Sequence, residues 1–446
     1  MEPKRCLTGL LSIVLILTLV CACGKRPTTI NLNLGQEDAG SVVRLYTGDS
    51  IYADTLDKNG IGSFFLSRNI VPQYAGFWHR TGYFYVYIDP GKDFGLIKTD
   101  NSFKFEGPGS GKSDYLNSSF LKDFRPDFSL DPEAFLDTLS LRYDECLTHL
   151  DSLGFDDEFN QVESSRLYYD IYLNLTMYPI RSEHPAARSA SSLERLKSYI
   201  KENEEMISFD EYRQFFIAAV ESFTKRSYPT SDPILRLTRI LDFIDSDIEG
   251  LGLKEFLTNH FMLGYLEQYG VRGLKPFLPR YTANVRDSNL LQSFRELCED
   301  WHKLSQGQPA PDLAYPDMDG EIISLKSLRG SYVYIDLWAT WCTFCVREFP
   351  YLKELESSLR GHNIVFVGIS CDGDADAWRR KVVEDKLGGI QLLAGKSQEL
   401  YDAFKVKGIP RFILIDPEGR IVDANMTRPS DPKTLPFILS LPGISD

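Results

Sequence analysis

Two cysteines three residues apart, in Trp338-Ala339-Thr340-Trp341-Cys342-Thr343-Phe344-Cys345, stand directly behind the apolar run Tyr332–Trp338 and at the head of a helical pattern reaching Leu359. A run interrupted only by Asp336 and followed at once by a 3.6-residue period reads as a strand buried on both faces passing into a helix. The alternation continues. Ile364 to Ser370 reads as strand, Ala375 to Glu384 as helix, Gln391 to Leu393 as a short strand and Gln398 to Phe404 as helix. Phe412 to Ile415 and a hairpin through Asp416-Pro417-Glu418-Gly419 close the series. Strands alternating with helices call for a central sheet covered on both faces, hence an α/β domain. Its start falls at Ser305-Gln306-Gly307-Gln308-Pro309-Ala310-Pro311, where prolines and a glycine cannot extend the preceding helix. The expected domain is therefore 305–446.

Ahead of that boundary the period changes twice. Residues 30–112 carry short alternating strands such as Val42–Tyr46 and Tyr83–Ile88, separated by Asp57-Lys58-Asn59-Gly60, Asp89-Pro90-Gly91 and Gly107-Pro108-Gly109-Ser110-Gly111. These turn residues tolerate tight reversals, so an all-β domain, a small sandwich, is expected. From 113 to 304 apolar residues recur every three or four positions, as in Phe135, Leu139, Tyr143, Cys146, Leu150, then Leu193, Leu196, Ile200, then Phe216, Val220, Phe223. An all-α bundle is the economical reading. Ser231-Asp232-Pro233 looks like a capped helix start, and Gly250, Gly252 and Gly270 suit helix ends or turns. With 446 residues, 43% hydrophobic and 25% charged, several folded cores are expected. A net charge of -14 argues against a nucleic-acid partner, which needs clustered cations.

The first residues read as an export signal, with Lys4 and Arg5 ahead of the apolar run Leu10–Val20; an ordinary signal peptide or an uncleaved anchor is the alternative to the lipoprotein reading that follows. Val20-Cys21-Ala22-Cys23-Gly24 resembles a bacterial lipoprotein signal, which implies a signal peptide over 1–22, lipid on Cys23 and a tether over 23–29. That expectation puts the body on a membrane, facing the periplasm or the outer-membrane surface. Cys6 and Cys21 leave with the signal, so of 8 cysteines Cys146, Cys298, Cys342, Cys345 and Cys371 remain besides Cys23. An odd remainder does not suit a stapled scaffold; one reactive pair plus packing residues does.

At a helix start the first sulfur of the pair faces unpaired backbone N–H groups, which favour thiolate over thiol. Cys342 is the expected nucleophile, and Cys345, one turn further in, the resolving thiol. Zinc would need four ligands, and no second Cys-x-x-Cys or His pair with metal spacing accompanies the first; His79, His149, His184, His260 and His302 are scattered. No metal and no cofactor beyond a redox-active Cys342–Cys345 disulfide is expected. A structural bridge over so short a loop would be a weak staple.

The residues 307–441 resemble the thioredoxin superfamily, and within it the TlpA/ResA-like branch of membrane-tethered disulfide reductases. The resemblance rests on Gly307-Gln308-Pro309-Ala310-Pro311-Asp312, Leu325-Lys326-Ser327-Leu328-Arg329-Gly330, the dithiol motif and Gly408-Ile409-Pro410. It implies a thiol–disulfide oxidoreductase acting on disulfides of exported proteins, supplied with electrons by a membrane partner. It also implies a buried acid at Asp336, a cis-proline at Pro410 facing the disulfide, and a Cys-x-x-Glu-x-Pro pattern that puts a carboxylate at Glu348. Burial would raise the Asp336 pKa and let it pass protons to Cys345; a structural, hydrogen-bonded carboxylate is the alternative. Glu348 would move protons or solvate its helix. Trp341 would offer a flat docking platform and Ile409 free backbone groups for an extended substrate.

Two positions depart from the family. Thr343-Phe344 lacks a proline between the cysteines, and Arg411 replaces a small hydroxyl residue; both positions tune reduction potential. Cys371, ending a strand, is either a third redox thiol or a small apolar residue. Two competing functions remain. An AhpC/TSA-type peroxidase would need Pro-x-x-x-Thr-x-x-Cys, but Ile335 and Ala339 stand at those places. A non-catalytic envelope binding module would use the thioredoxin-like end as scaffold for the front half.

Overall fold

The computed structural model describes residues 26–444 apart from 49, 81, 100–102, 190–194, 196, 228, 229 and 231. The expected export signal with Cys6 and Cys21, the expected lipidation site Cys23, and Leu193, Leu196 and Ser231 lie outside the described residues. The chain forms two compact units, 1–167 and 168–446.

The first unit opens with eight strands: β1 (Thr28–Asn33), β2 (Val42–Tyr46), β3 (Ile51–Thr55), β4 (Ile61–Leu66), β5 (Gln73–His79), β6 (Gly82–Ile88), β7 (Phe94–Lys98) and β8 (Phe103–Glu106). They make two four-stranded sheets, β4-β1-β7-β8 and β3-β2-β5-β6. Alternation decides which side chains go inward: in β1, Thr28, Ile30 and Leu32 are buried while Asn31 and Asn33 are exposed. Ile30, Leu32, Phe64 and Phe94 of one sheet and Val43, Leu45 and Phe77 of the other share a single apolar cluster. Strand β1 begins at Thr28, inside the stretch expected as tether. Thr28 already pairs with Leu66, and the Thr29 amide donates to Asp93 Oδ1 at 2.8 Å. At Asp57–Gly60 the Asp57 carboxylate accepts from the amides of Asn59 and Ile61, at 2.8 and 2.9 Å, and Gly60 takes a φ of 76° that its missing Cβ allows. The helices α1 (Gly111–Leu116), α2 (Ser119–Lys122), α3 (Pro132–Ser152) and the start of α4 (Asp157–Arg181) complete this unit. The α3 stripe runs as its period implies, with Phe135, Leu139, Cys146 and Leu150 buried.

The second unit takes up the remainder of α4 and adds α5 (Asp210–Ser227), α6 (Pro233–Asp247), α7 (Leu251–Tyr269), α8 (Leu278–Asn284) and α9 (Ser288–His302). Asp232 caps α6, accepting from the amides of Ile234 and Leu235 with Pro233 in the first turn. Gly250 and Gly270 bracket α7. Gly252 lies in the first turn of α7, and its amide donates to Glu204 Oε2 at 2.9 Å.

Beyond 305 a two-stranded hairpin, β9 (Ala314–Pro316) and β10 (Ile322–Ser324), leads into the five-stranded sheet that carries the cysteines. Its strands are β11 (Tyr332–Trp338), β12 (Ile364–Ser370), β13 (Ile390–Leu393), β14 (Arg411–Ile415) and β15 (Ile421–Met426), in the order β13-β12-β11-β14-β15. β11, β12 and β13 run parallel; β14 and β15 are antiparallel to their neighbours. The helices are α10 (Thr343–Ser358), α11 (Ala375–Glu384), α12 (Gln398–Ala403) and α13 (Thr434–Leu439). Every residue of β11 is buried, as a central strand covered on both faces must be. Tyr332, Tyr334, Phe412 and Leu414 on one face of the sheet pack with Leu352 and Leu355 of α10 and Ile438 of α13. This is a thioredoxin-like domain, and it places the cysteine pair where the buried central strand β11 passes into α10.

Candidate functional site

Strand β11 delivers Trp338 into the interior, and the chain turns through Ala339-Thr340-Trp341 before α10 begins. Cys342 is the residue that caps α10: its Sγ lies 3.1 Å from the amide nitrogen of Cys345, which donates to it, while the amide of Val346 donates to its carbonyl. Cys342 and Cys345 are joined as a disulfide, with Cα atoms 5.3 Å apart. Both sulfurs form part of the wall of an apolar cluster with Trp338, Phe349, Trp378 and Val382. Cys345 is 1% exposed and Cys342 6%, so an approaching molecule meets Cys342 first.

The loop of β14 faces the pair. The Ile409–Pro410 bond is cis, and the Ile409 carbonyl oxygen lies 3.7 Å from Cys342 Sγ. Trp341, at 67% exposure, and Phe344, at 61%, flank the disulfide, with the Arg347 guanidinium over the Phe344 ring. The sequence marked Trp341 and Ile409; it did not mark Phe344, whose exposure depends on which face of α10 packs on the sheet.

Asp336, in β11 two residues before Trp338, is 3% exposed, and its Oδ1 has no hydrogen-bond partner among the described residues. Burial, reinforced by the nearby carboxylates of Glu348 and Glu356, pushes its pKa up to about 8. A carboxyl lacking donors to its oxygen differs from the structural, hydrogen-bonded alternative. Glu348 is not solvated. It is buried, and both its oxygens accept from Ser430, Oε2 from the amide at 3.0 Å and Oε1 from the hydroxyl at 2.9 Å. It therefore ties α10 to the loop after β15. Arg411 is buried as well, its guanidinium pushed down by desolvation against the opposing pull of Asp423.

Cys371 is buried at the end of β12, and burial raises its thiol pKa, opposite to what a reactive thiol needs. Its amide donates to the Trp338 carbonyl at 2.8 Å. Cys146 is buried and Cys298 partly so. Among the described residues no group of three or more His, Cys, Asp or Glu side chains is placed to hold a metal ion. Asp372 and Ser430 were missed. The acid-rich run Asp372-Gly373-Asp374-Ala375-Asp376 reads as solvated surface in sequence, yet Asp372 is 3% exposed while Asp374 caps α11.

A sheet of this topology with a Cys-x-x-Cys disulfide capping the helix after its central strand defines a thioredoxin-like thiol–disulfide oxidoreductase. Residues 306–424 match the AhpC/TSA family. A Bacteroides vulgatus protein described as a thiol–disulfide oxidoreductase, solved in solution, is 51% identical over 29% of this chain and 87% of its own, with a TM-score of 0.27. A crystal structure of a protein so described from the same organism is 37% identical over 31% of this chain and 97% of its own, with a TM-score of 0.30. The thiol-disulfide oxidoreductase ResA of Bacillus thuringiensis is 28% identical over 124 residues, 28% of this chain and 71% of the relative. This region is a TlpA/ResA-like domain of the thioredoxin superfamily.

Proposed function

We propose that the protein is a lipid-anchored oxidoreductase of the bacterial cell envelope that reduces or exchanges disulfides of exported proteins through Cys342 and Cys345. The observation that carries this reading is the position of Cys342 Sγ at the head of α10, within hydrogen-bond reach of the Cys345 amide and beside the exposed Trp341. An aligned amide and the positive helix end favour thiolate there. The reduced Cys342 thiolate attacks one sulfur of a partner disulfide. The S–S bond breaks, a mixed disulfide forms and the partner's other sulfur leaves as thiolate. The Cys345 thiol then gives its proton to Asp336, whose carboxyl, titrating near 8, is far better matched to a thiol than an exposed aspartate. The resulting thiolate attacks Cys342 Sγ, releases the reduced partner and leaves the Cys342–Cys345 disulfide. Two electrons have passed to the partner. Trp341 and the backbone of Ile409 hold the partner's chain beside cis-Pro410. Glu348 fixes the helix rather than moving protons, since both its oxygens are occupied by Ser430.

Returning the disulfide to the dithiol needs a reductant, which we assign to a membrane electron donor of unidentified name. Lipid on Cys23 holds the body at the membrane surface, in the periplasm or on the outer membrane, with the front strands as a small sandwich and the helices to 304 selecting partners. No helix among the described residues is long and apolar enough to cross a membrane. The peroxidase reading lacks its Thr and Pro, since Ala339 and Ile335 stand there and both are buried. The test is a pair of variants. Cys342→Ser should abolish insulin-type disulfide reduction, and Cys345→Ala should accumulate mixed disulfides with envelope proteins. Activity retained by Cys342→Ser removes the proposal.

A further inference from the structure

The loop that presents Cys342 is held from behind by a buried carboxylate that no motif marks. Asp372 follows β12 and is 3% exposed. Its Oδ2 accepts from the Thr340 amide at 2.9 Å and from the Ser370 hydroxyl at 2.8 Å, and its Oδ1 accepts from the Thr340 hydroxyl at 2.7 Å. The Ser370 hydroxyl accepts in turn from the Asp372 amide at 3.1 Å, and the adjacent Cys371 amide donates to the Trp338 carbonyl at 2.8 Å. Both ends of the Trp338–Thr340 stretch are thus bonded to the end of β12, and Cys342 is two residues past the last of these bonds. Hydrogen bonds to a buried carboxylate are among the stronger ones, and leaving such an oxygen unpaired is costly.

Resting on the exchange mechanism above, we infer that Asp372 is a positioning residue: through Thr340 it fixes the loop so that Cys342 Sγ stays on the Cys345 amide while the pair cycles between disulfide and dithiol. The bond from that amide is worth most when Sγ carries the negative charge, so a loop free to drift loses thiolate stabilisation in the reduced state. The reduced state then becomes less favoured relative to the disulfide, and the protein becomes a stronger reductant with a slower attacking thiol.

Asparagine at 372 separates positioning from charge. Its oxygen can accept from the Thr340 amide and the Ser370 hydroxyl, and its amide can donate to Thr340 Oγ1, which keeps the loop in place without the charge. The experiment measures, on the purified chain, the alkylation rate of reduced Cys342 in a Cys345→Ala background, and the equilibrium of the unaltered Cys342–Cys345 pair with glutathione. Asp372→Ala should slow alkylation by about tenfold or more and shift the glutathione equilibrium toward the disulfide by a similar factor. Asp372→Asn should stay within about threefold of the parent in both. A stability loss shared equally by the two redox states leaves the glutathione equilibrium where it is, so that readout excludes a merely structural role. Should Asp372→Ala fail to fold, Thr340→Val, which loses only the hydroxyl bond, should shift both readouts in the same direction by about threefold, and Thr340→Ser should restore them. Parental values in Asp372→Ala, or in Thr340→Val where that variant decides, overturn the inference, as does Asp372→Asn falling as far as Asp372→Ala. Neither readout requires an exported substrate, so a parent that alkylates fast yet reduces no protein disulfide would defeat the proposed function and leave this inference standing.

Discussion

Replacing Asp336 by asparagine tests a buried carboxyl in the strand that leads to the cysteine pair. Asp336 sits in the central strand opposite Phe412 and Gly368, with Oδ1 unpaired among the described residues, and burial lifts its pKa from 3.8 to about 8. A carboxyl raised in this way binds its proton in the folded chain and loses it in the unfolded chain across the window between those values. Stability must then fall as pH rises from about 4 to about 8, because the native state holds the extra proton. The slope is about 1.4 kcal/mol per pH unit, and the sum over the window is about 6 kcal/mol at most. Asparagine carries no proton to lose. The assay is urea unfolding of the oxidised chain at intervals between pH 4.5 and 8.5, with the disulfide intact so that neither active-site thiol titrates, and the quantity is the difference between parent and Asp336→Asn at each pH. Glu356, also raised by burial, is present in both chains, so its own contribution largely cancels. The variant should gain on the parent steadily with pH. Parallel curves across the window would mean that Asp336 ionises in the fold like an exposed acid, and proton transfer to it from Cys345 would lose its basis.

Three further outcomes follow from the same geometry. Ser430→Ala removes one of two donors to the buried Glu348 and should lower stability by about 1 to 2 kcal/mol in thermal unfolding, with the loop after β15 becoming more protease-sensitive. Trp341→Ala, at an exposed position, should leave stability within about 0.5 kcal/mol and raise KM for a protein disulfide several-fold while kcat holds. Cys23→Ala in the full chain should move the protein from the membrane to the soluble fraction, and retention on the membrane would refute the lipid anchor.

The central strand and its helix were legible because two periods meet there without ambiguity: Tyr332–Trp338 and Ile364–Ser370 are strands with the bounds their apolar runs imply. The cysteine pair was legible because its chemistry depends on that junction alone. What stayed hidden depends on contacts between distant segments. The three-residue strands β9 and β10 are too short to show a period, and α13 presents one turn and a half. Ser430 meets Glu348 across 82 positions and Asp372 meets Thr340 across 32, so neither pairing leaves a local signal. A buried acid and a capping acid look alike in sequence. Only the turn after β12 decides that Asp372 points inward and Asp374 caps α11.

Arg411 shows how the rest of the second unit reaches the site. It follows cis-Pro410 directly and pairs with Leu337 in the sheet, where the family expects a small hydroxyl residue. Its guanidinium is buried, with Nη1 lacking a hydrogen-bond partner among the described residues, and it acts electrostatically on Asp423 of β15. Asp423, whose carboxyl burial raises, is held down in turn by Arg272 from the segment after α7 and by Arg411. The same border carries Lys405 to Asp300 at 2.7 Å, Lys407 to Glu267 at 3.7 Å, and the Asn425 side chain donating to the Gln268 carbonyl. A buried cation costs free energy unless an anion faces it, and Asp423, whose Oδ1 also accepts from the Asn425 amide at 2.8 Å, is the anion that faces Arg411. Through Asp423, the residue after the cis-proline shares a charge network with Arg272 of the segment after α7, which a lone thioredoxin-like domain would lack.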